Sequence, residues 1–132
     1  MSSHNLPLRV YYEDTDAGGI VYYANYLKFA ERGRTEWLRD LGFHNSTLRA
    51  ECGILIVVKA AEIDYIKSAV LDDSLVLETR VDSVGGSSLK MTQFVTRGDD
   101  LICTMKIVLV CVSAQTMRPA RWPQNLREKL TT

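Results

Sequence analysis

The chain has 132 residues and a mass of 14.9 kDa, which is one domain's worth of sequence over residues 1–132. Hydrophobic residues make up 46% and charged residues 24%, a mixture that excludes a disordered tail or a fibrous repeat. Sixteen Lys and Arg balance sixteen Asp and Glu, so no general electrostatic pull draws the chain to nucleic acid or an anionic membrane.

The first apolar segment, Leu6 to Tyr12, reads as a short strand, and Glu13-Asp14-Thr15-Asp16-Ala17-Gly18-Gly19 follows as a run of turn formers. A helix is predicted over Tyr23 to Leu41. Tyr23, Tyr26, Leu27, Ala30, Trp37, Leu38 and Leu41 repeat at the spacing of one buried face, and Lys28, Glu31, Arg32, Thr35, Glu36 and Arg39 mark the opposite one. Gly42 is its stop signal. After Gly53 the period changes to two. Ile54–Ile66, Ser74–Val84, Leu89–Thr96 and Leu101–Val112 read as strands, the last three joined by glycine turns into an antiparallel meander. Pro119 and Pro123 then break the sheet, and Gln124 to Leu130 reads as a short terminal helix.

The expected class is therefore α+β: five strands with one long helix across a sheet face. The last strand is apolar on both sides, with Val108, Val110 and Val112 opposite Leu109 and Cys111, so a second copy of the chain is the simplest cover. The three cysteines, Cys52, Cys103 and Cys111, are odd in number and lack CxxC spacing, which points away from a disulfide framework or a metal site. Cys103 and Cys111 sit in apolar runs where a free thiol behaves as a small hydrophobe. The expected compartment is reducing and cytoplasmic. Met1 to Asn5 carry no leader pattern, and the longest apolar run, Ile107 to Val112, is far short of the ~20 residues of a membrane span.

Chemistry concentrates where the acidic turn meets the helix, in Tyr11-Tyr12-Glu13-Asp14-Thr15-Asp16-Ala17-Gly18-Gly19-Ile20-Val21-Tyr22-Tyr23. A helix N-terminus offers unpaired N–H groups and about half a positive charge, which suits a developing oxyanion. A carboxylate a few residues upstream supplies a nucleophile or base, and Gly18 and Gly19 allow close approach. The competing reading of the same residues is an ordinary Asp cap and an Asp-Ala-Gly-Gly turn.

The stretch Asp14-Thr15-Asp16-Ala17-Gly18-Gly19-Ile20-Val21-Tyr22-Tyr23, followed by Asn25-Tyr26, closely resembles the signature of the 4-hydroxybenzoyl-CoA thioesterase family of hotdog-fold enzymes. With Phe29-Ala30-Glu31-Arg32-Gly33-Arg34-Thr35-Glu36, Leu71-Asp72-Asp73, Gly86-Ser87-Ser88-Leu89 and Met117-Arg118-Pro119, the chain resembles the acyl-CoA thioesterases associated with the Tol–Pal system. The resemblance runs from about Leu8 to Leu126. It implies a hotdog fold, in which a five-stranded antiparallel sheet wraps one long helix. It also implies a cytoplasmic acyl-CoA thioesterase, needing no cofactor, that assembles as a homodimer or homotetramer.

Carried over by motif, the catalytic aspartate falls on Asp16, and the N–H that polarises the thioester carbonyl falls at Tyr23. Asp16 then attacks the thioester carbon or deprotonates a water. Related members often carry His at the position of Tyr23; a backbone N–H survives that difference, whereas an imidazole role does not. Gly19 and Val21 are expected at the substrate, and Lys59, Ser87, Ser88 and Lys90 are candidates for the CoA groove. Asp14 reads as a turn or cap residue, Glu36 as a solvated helix acid, His4 as part of a loose terminus and His44 as a residue past the helix stop. The competing function is a non-catalytic module that binds acyl-CoA or acyl carrier protein, which needs no carboxylate at Asp16.

Overall fold

A long helix with a glycine at its middle lies across an antiparallel sheet. The computed structural model describes residues 3–132; Met1 and Ser2, the start of the run read above as lacking a leader, lie outside the described residues. In chain order the elements are β1 (Ser3–Arg9), a 3-10 turn (Tyr12–Asp14), α1 (Asn25–Asp40), α2 (Asn45–Cys52), β2 (Ile54–Tyr65), β3 (Ser74–Val84), β4 (Ser88–Arg97), β5 (Asp100–Ser113) and α3 (Gln124–Leu130). Among the described residues the five strands form one antiparallel sheet in the order β1-β3-β4-β5-β2. No helix there is long and apolar enough to cross a membrane.

Helix α1 packs over β1 and β3 through Tyr26, Phe29, Ala30, Gly33, Trp37 and Leu38. Two members of the expected stripe fall outside it. Tyr23 is 62% exposed because α1 begins two residues later than predicted, and Leu27 is exposed beyond the edge of the buried face. Phe29 and Gly33 take their places, and the backbone at Gly33 comes so close to the sheet that a Cβ there would overlap Leu77 Cδ2. Beneath this contact the fully buried Gln93 ties the layers together. Its Nε2 donates to Ala30 O at 3.0 Å and Thr79 Oγ1 at 2.9 Å, while its Oε1 accepts from Arg34 at 3.0 Å. A buried amide is tolerated because its hydrogen-bonding groups are paired.

Other boundaries moved for local reasons. Strand β1 begins and ends earlier than expected, because Val10 leaves it to exchange backbone hydrogen bonds with Asp72 and Asp73. His4, expected in a loose terminus, is a β1 residue with Nε2 3.4 Å from Asp40. Helix α2 was not anticipated: it buries only Leu48, so its apolar period is faint, and Gly53 ends it at φ +65°. The buried Cys103 and Cys111 thiols are pushed up to about 12 and about 11 by desolvation, as apolar packing groups should be.

The C-terminal segment pairs alongside the end of β5, whose outer face a second copy was expected to cover. Val112 is buried and bridges to Pro119, and Ala120 N–H donates to Cys111 O. Trp122 Nε1 donates to Ser88 O, and Arg127 donates to Gly85 O, anchoring the segment on the β3–β4 turn. Val108 and Val110 remain half-buried.

Candidate active site

The acidic turn closes on itself as a miniature hairpin. Thr15 bridges to Val21, Asp16 N–H donates to Ile20 O at 3.0 Å, and Gly19 N–H donates to Asp16 O at 3.0 Å. Asp16 Oδ1 accepts the Gly18 N–H at 2.8 Å, so the carboxylate is held by its own turn while its side chain stays at the surface. Gly19 adopts φ +81°, a conformation that disfavours an L side chain. A shallow cleft of about 490 Å³ opens here, lined by Tyr12, Thr15, Asp16, Ala17, Gly19 and Leu71.

Asp14 has a different task. Only 3% exposed, its carboxylate accepts from Asn25 Nδ2 at 2.7 Å and from Tyr11 N–H at 2.8 Å, while its carbonyl accepts the Tyr22 N–H. It thereby pins the acidic turn to the start of α1, as the turn-or-cap reading expected. Tyr22 O in turn accepts Asn25 N–H at 2.8 Å, forming a β-turn around Tyr23 and Ala24. Among the described residues neither the Tyr23 nor the Ala24 N–H has an acceptor, which leaves donors free at the positive end of the helix. The Tyr22 phenol is held above its ordinary pKa, first by the neighbouring Tyr23 phenol and, more weakly, by the charge of Asp16.

The 66–73 segment braces the hairpin from its other side. Val21 N–H donates to Ala69 O, Ile20 bridges to Val70, and the buried Tyr26 hydroxyl accepts from Ala69 N–H. Arg97 secures the segment by donating to Asp73 Oδ2 at 2.8 Å and Ser68 O at 3.2 Å. The Val70 N–H and the Arg97 guanidinium hold the Asp73 carboxyl below the usual carboxylate range.

Asp16, Gly19 and Val21 share the hairpin, although the Val21 side chain is buried in the core, and Tyr23 follows two residues later, just before the start of α1. Four tyrosines surround the acidic turn in sequence, Tyr11, Tyr22, Tyr23 and Tyr26, and of these Tyr22 and Tyr23 are exposed at the helix start. Tyr26 is buried against Phe29, and Tyr11 lines a neighbouring cleft with Arg9 and Leu71. Tyr65 joins Tyr22 and Tyr23 unpredicted: it lies edge-on to Tyr23 at 6.4 Å, and its hydroxyl donates to Tyr23 O. Nothing in its local pattern marked it, because a strand-end tyrosine reads only as sheet.

The CoA candidates lie elsewhere. Ser87 and Ser88 sit at the far end of β3, about 35 Å along the strand from the 66–73 segment. Lys90 pairs with Val108, which pairs with Ala60, so Lys59 and Lys90 fall near one row across the middle of the sheet. Glu36 lies eleven residues into α1, roughly 17 Å from its start, and bonds Arg39. His44 contacts the same Arg39.

Comparisons with known proteins identify the family of the chain. Residues 10–130 match the family described as the Thioesterase-like superfamily. The chain is 43% identical to the acyl-CoA thioesterase YbgC of Haemophilus influenzae, covering 93% of this chain and 90% of that protein. It is 41% identical to the acyl-CoA thioester hydrolase YbgC of Escherichia coli O157:H7, covering 91% and 90%. A crystal structure of a probable thioesterase from Bartonella henselae superposes with a TM-score of 0.87 at 35% identity, covering 92% of this chain and all of that one.

Proposed function

The chain belongs to the thioesterase-like superfamily, and from that premise we propose that it is an acyl-CoA thioesterase releasing free acid and CoA from short-chain or small aromatic acyl-CoA. The observation that carries this reading is the surface carboxylate of Asp16, held by its own turn beside a helix start with two unclaimed N–H groups. The thioester carbonyl oxygen sits at the Tyr23 N–H, where negative charge developing on it is stabilised. Asp16 either attacks the carbonyl carbon, expelling CoA thiolate and leaving a mixed anhydride for water to cleave, or takes a proton from the attacking water. Both routes consume one water and yield one acid and one thiol. A module that only binds acyl-CoA or acyl carrier protein has no use for this unpartnered oxygen on Asp16.

The acyl wall of Tyr22, Tyr23 and Tyr65 is exposed, its rings tilted or edge-on to one another, and the buried Tyr26 packs edge-on against Tyr65. Each methylene buried in a deep tunnel would add ~0.8 kcal/mol, about a fourfold gain in specificity. Against a shallow aromatic wall the gain should stop after a few carbons, and a benzoyl group should be accepted by stacking. We expect kcat/KM to plateau from acetyl- through palmitoyl-CoA; a steady rise through palmitoyl would refute the shallow wall and leave the hydrolase assignment standing.

The reading includes assembly as a homodimer or homotetramer. Strand β2 is an outer strand of the sheet with Val58 exposed, beside a cavity of about 290 Å³ between α1, α2 and β2. That cavity carries Glu31 and Arg34 among apolar groups such as Leu48, Ile54 and Ile56. A two-fold axis through this patch would let Glu31 of one copy meet Arg34 of the other on an apolar ground. In such an assembly, Lys59, Ser87, Ser88 and Lys90 would serve the CoA bound at the site of another copy. Sedimentation at micromolar concentration should give a species of at least twice 14.9 kDa. An active monomer would end the claim of assembly.

A further inference from the structure

We infer that Tyr65 is a positioning residue for hydrolysis, holding the peptide between Tyr23 and Ala24 so that the Ala24 N–H stays beside that of Tyr23 at the carbonyl site. The inference rests on the thioesterase reading. Tyr65 is the last residue of β2, and its hydroxyl donates to Tyr23 O at 3.0 Å across 42 residues of chain. Tyr22 to Asn25 form a β-turn closed by the Asn25 N–H to Tyr22 O hydrogen bond. That bond holds the peptide carrying the Tyr23 N–H, because Tyr22 O and Tyr23 N belong to the same planar unit.

The central peptide of a β-turn is the unit its closing hydrogen bond leaves free. Here that unit carries Tyr23 O and the Ala24 N–H, and the Tyr65 hydroxyl grips it from outside the turn. Ala24 at φ −72° and ψ −16° supports this orientation, because the flipped peptide would demand a positive φ that alanine resists. A hydrogen bond accepted by the carbonyl also polarises the N–H on the same peptide, making it a stronger donor. Tyr65 is 45% exposed, so its hydroxyl is not needed to satisfy a buried core. The edge-on contact of its ring with Tyr23 would survive loss of the oxygen.

The test is Tyr65→Phe, which removes the hydroxyl and keeps the ring. Wild-type thiol release is measured first, and a wild-type chain that cleaves no acyl-CoA overturns the parent reading and this role with it. In an active enzyme, kcat should fall roughly three- to tenfold, the scale of one net hydrogen bond, with KM within about twofold. The Ala24 amide resonance should move in a ¹H–¹⁵N spectrum while the thermal midpoint stays within about 2 °C. A variant with wild-type kcat, a loss confined to KM, or an unmoved Ala24 amide would overturn the positioning role while the hydrolase stands.

Discussion

Replacing Asp16 by Asn should lower turnover by about 10² to 10⁴, the usual scale for a lost acid–base group. The substitution is nearly isosteric, and the amide retains Oδ1 to accept the Gly18 N–H that now meets Asp16 at 2.8 Å. The turn therefore persists, along with the hairpin bonds of Asp16 N–H to Ile20 and Gly19 N–H to Asp16 O, which are backbone bonds. What disappears is the charge and basicity of the second oxygen. Affinity for the product CoA should stay within about twofold, since no binding contact is removed. Stopped-time thiol release and calorimetric titration with CoA check both halves. A variant that keeps more than about a tenth of wild-type turnover would show that the carboxylate is not the catalytic group.

The largest stability effect should come from Gly33→Ala. Alanine ordinarily strengthens a mid-helix position by up to about 1 kcal/mol over glycine. Here the added methyl would overlap Leu77 Cδ2 and press on Gln93 Nε2 at 3.2 Å, at a point where Leu77 and Gln93 are fully buried. Leu77 must leave its rotamer or the helix must lift, and lifting stretches the Gln93 hydrogen bond to Ala30 O. Overpacking of this kind costs about 1–3 kcal/mol or more, enough to outweigh the propensity gain. A net loss near 2 kcal/mol lowers the thermal midpoint of a chain this size by roughly 6–10 °C. Leu77→Ala in the same chain makes room for the methyl, so the double variant should be less destabilised than the two single losses summed. A Gly33→Ala protein as stable as wild type would mean that helix and sheet do not meet at this glycine.

The pattern of α1 shows where sequence reasoning stops. Its existence and length follow from a long 3.6-residue period, and the hinge between helix and sheet patterns at Gly53 is equally plain. Yet the same period counted Tyr23 and Leu27 as buried and missed Gly33, because a glycine carries no apolar signal even where it makes the closest approach to the sheet. The meander β3-β4-β5 was readable because each turn is local and glycine-marked. The position of β2 at the sheet edge, and of β1 beside β3, rests on long-range pairing that no local spacing encodes.

The site divides the same way. Asp16, Gly19 and Tyr23 lie within eight residues, so a motif could group them. Tyr65 and the Asp73–Arg97 brace reach the same place from distant strands, and only the fold reveals them. Asp14 and Asp16, two residues apart, part company by burial: one carboxylate is consumed by hydrogen bonds within the fold, the other faces solvent. The Ser87–Ser88 turn failed to join the site in one chain for a simple reason of length, since β3 carries it to the opposite end of the sheet.

The central claim is that this carboxylate and helix start hydrolyse a CoA thioester. The most direct measurement is thiol release by the purified protein from a panel of acyl-CoAs, from acetyl to palmitoyl with benzoyl included. Saturable release of CoA with matching free acid, dependent on protein concentration and abolished in Asp16→Asn, is the predicted result. Tight binding of acyl-CoA with no thiol released from any member of the panel would contradict it and leave a binding module in its place.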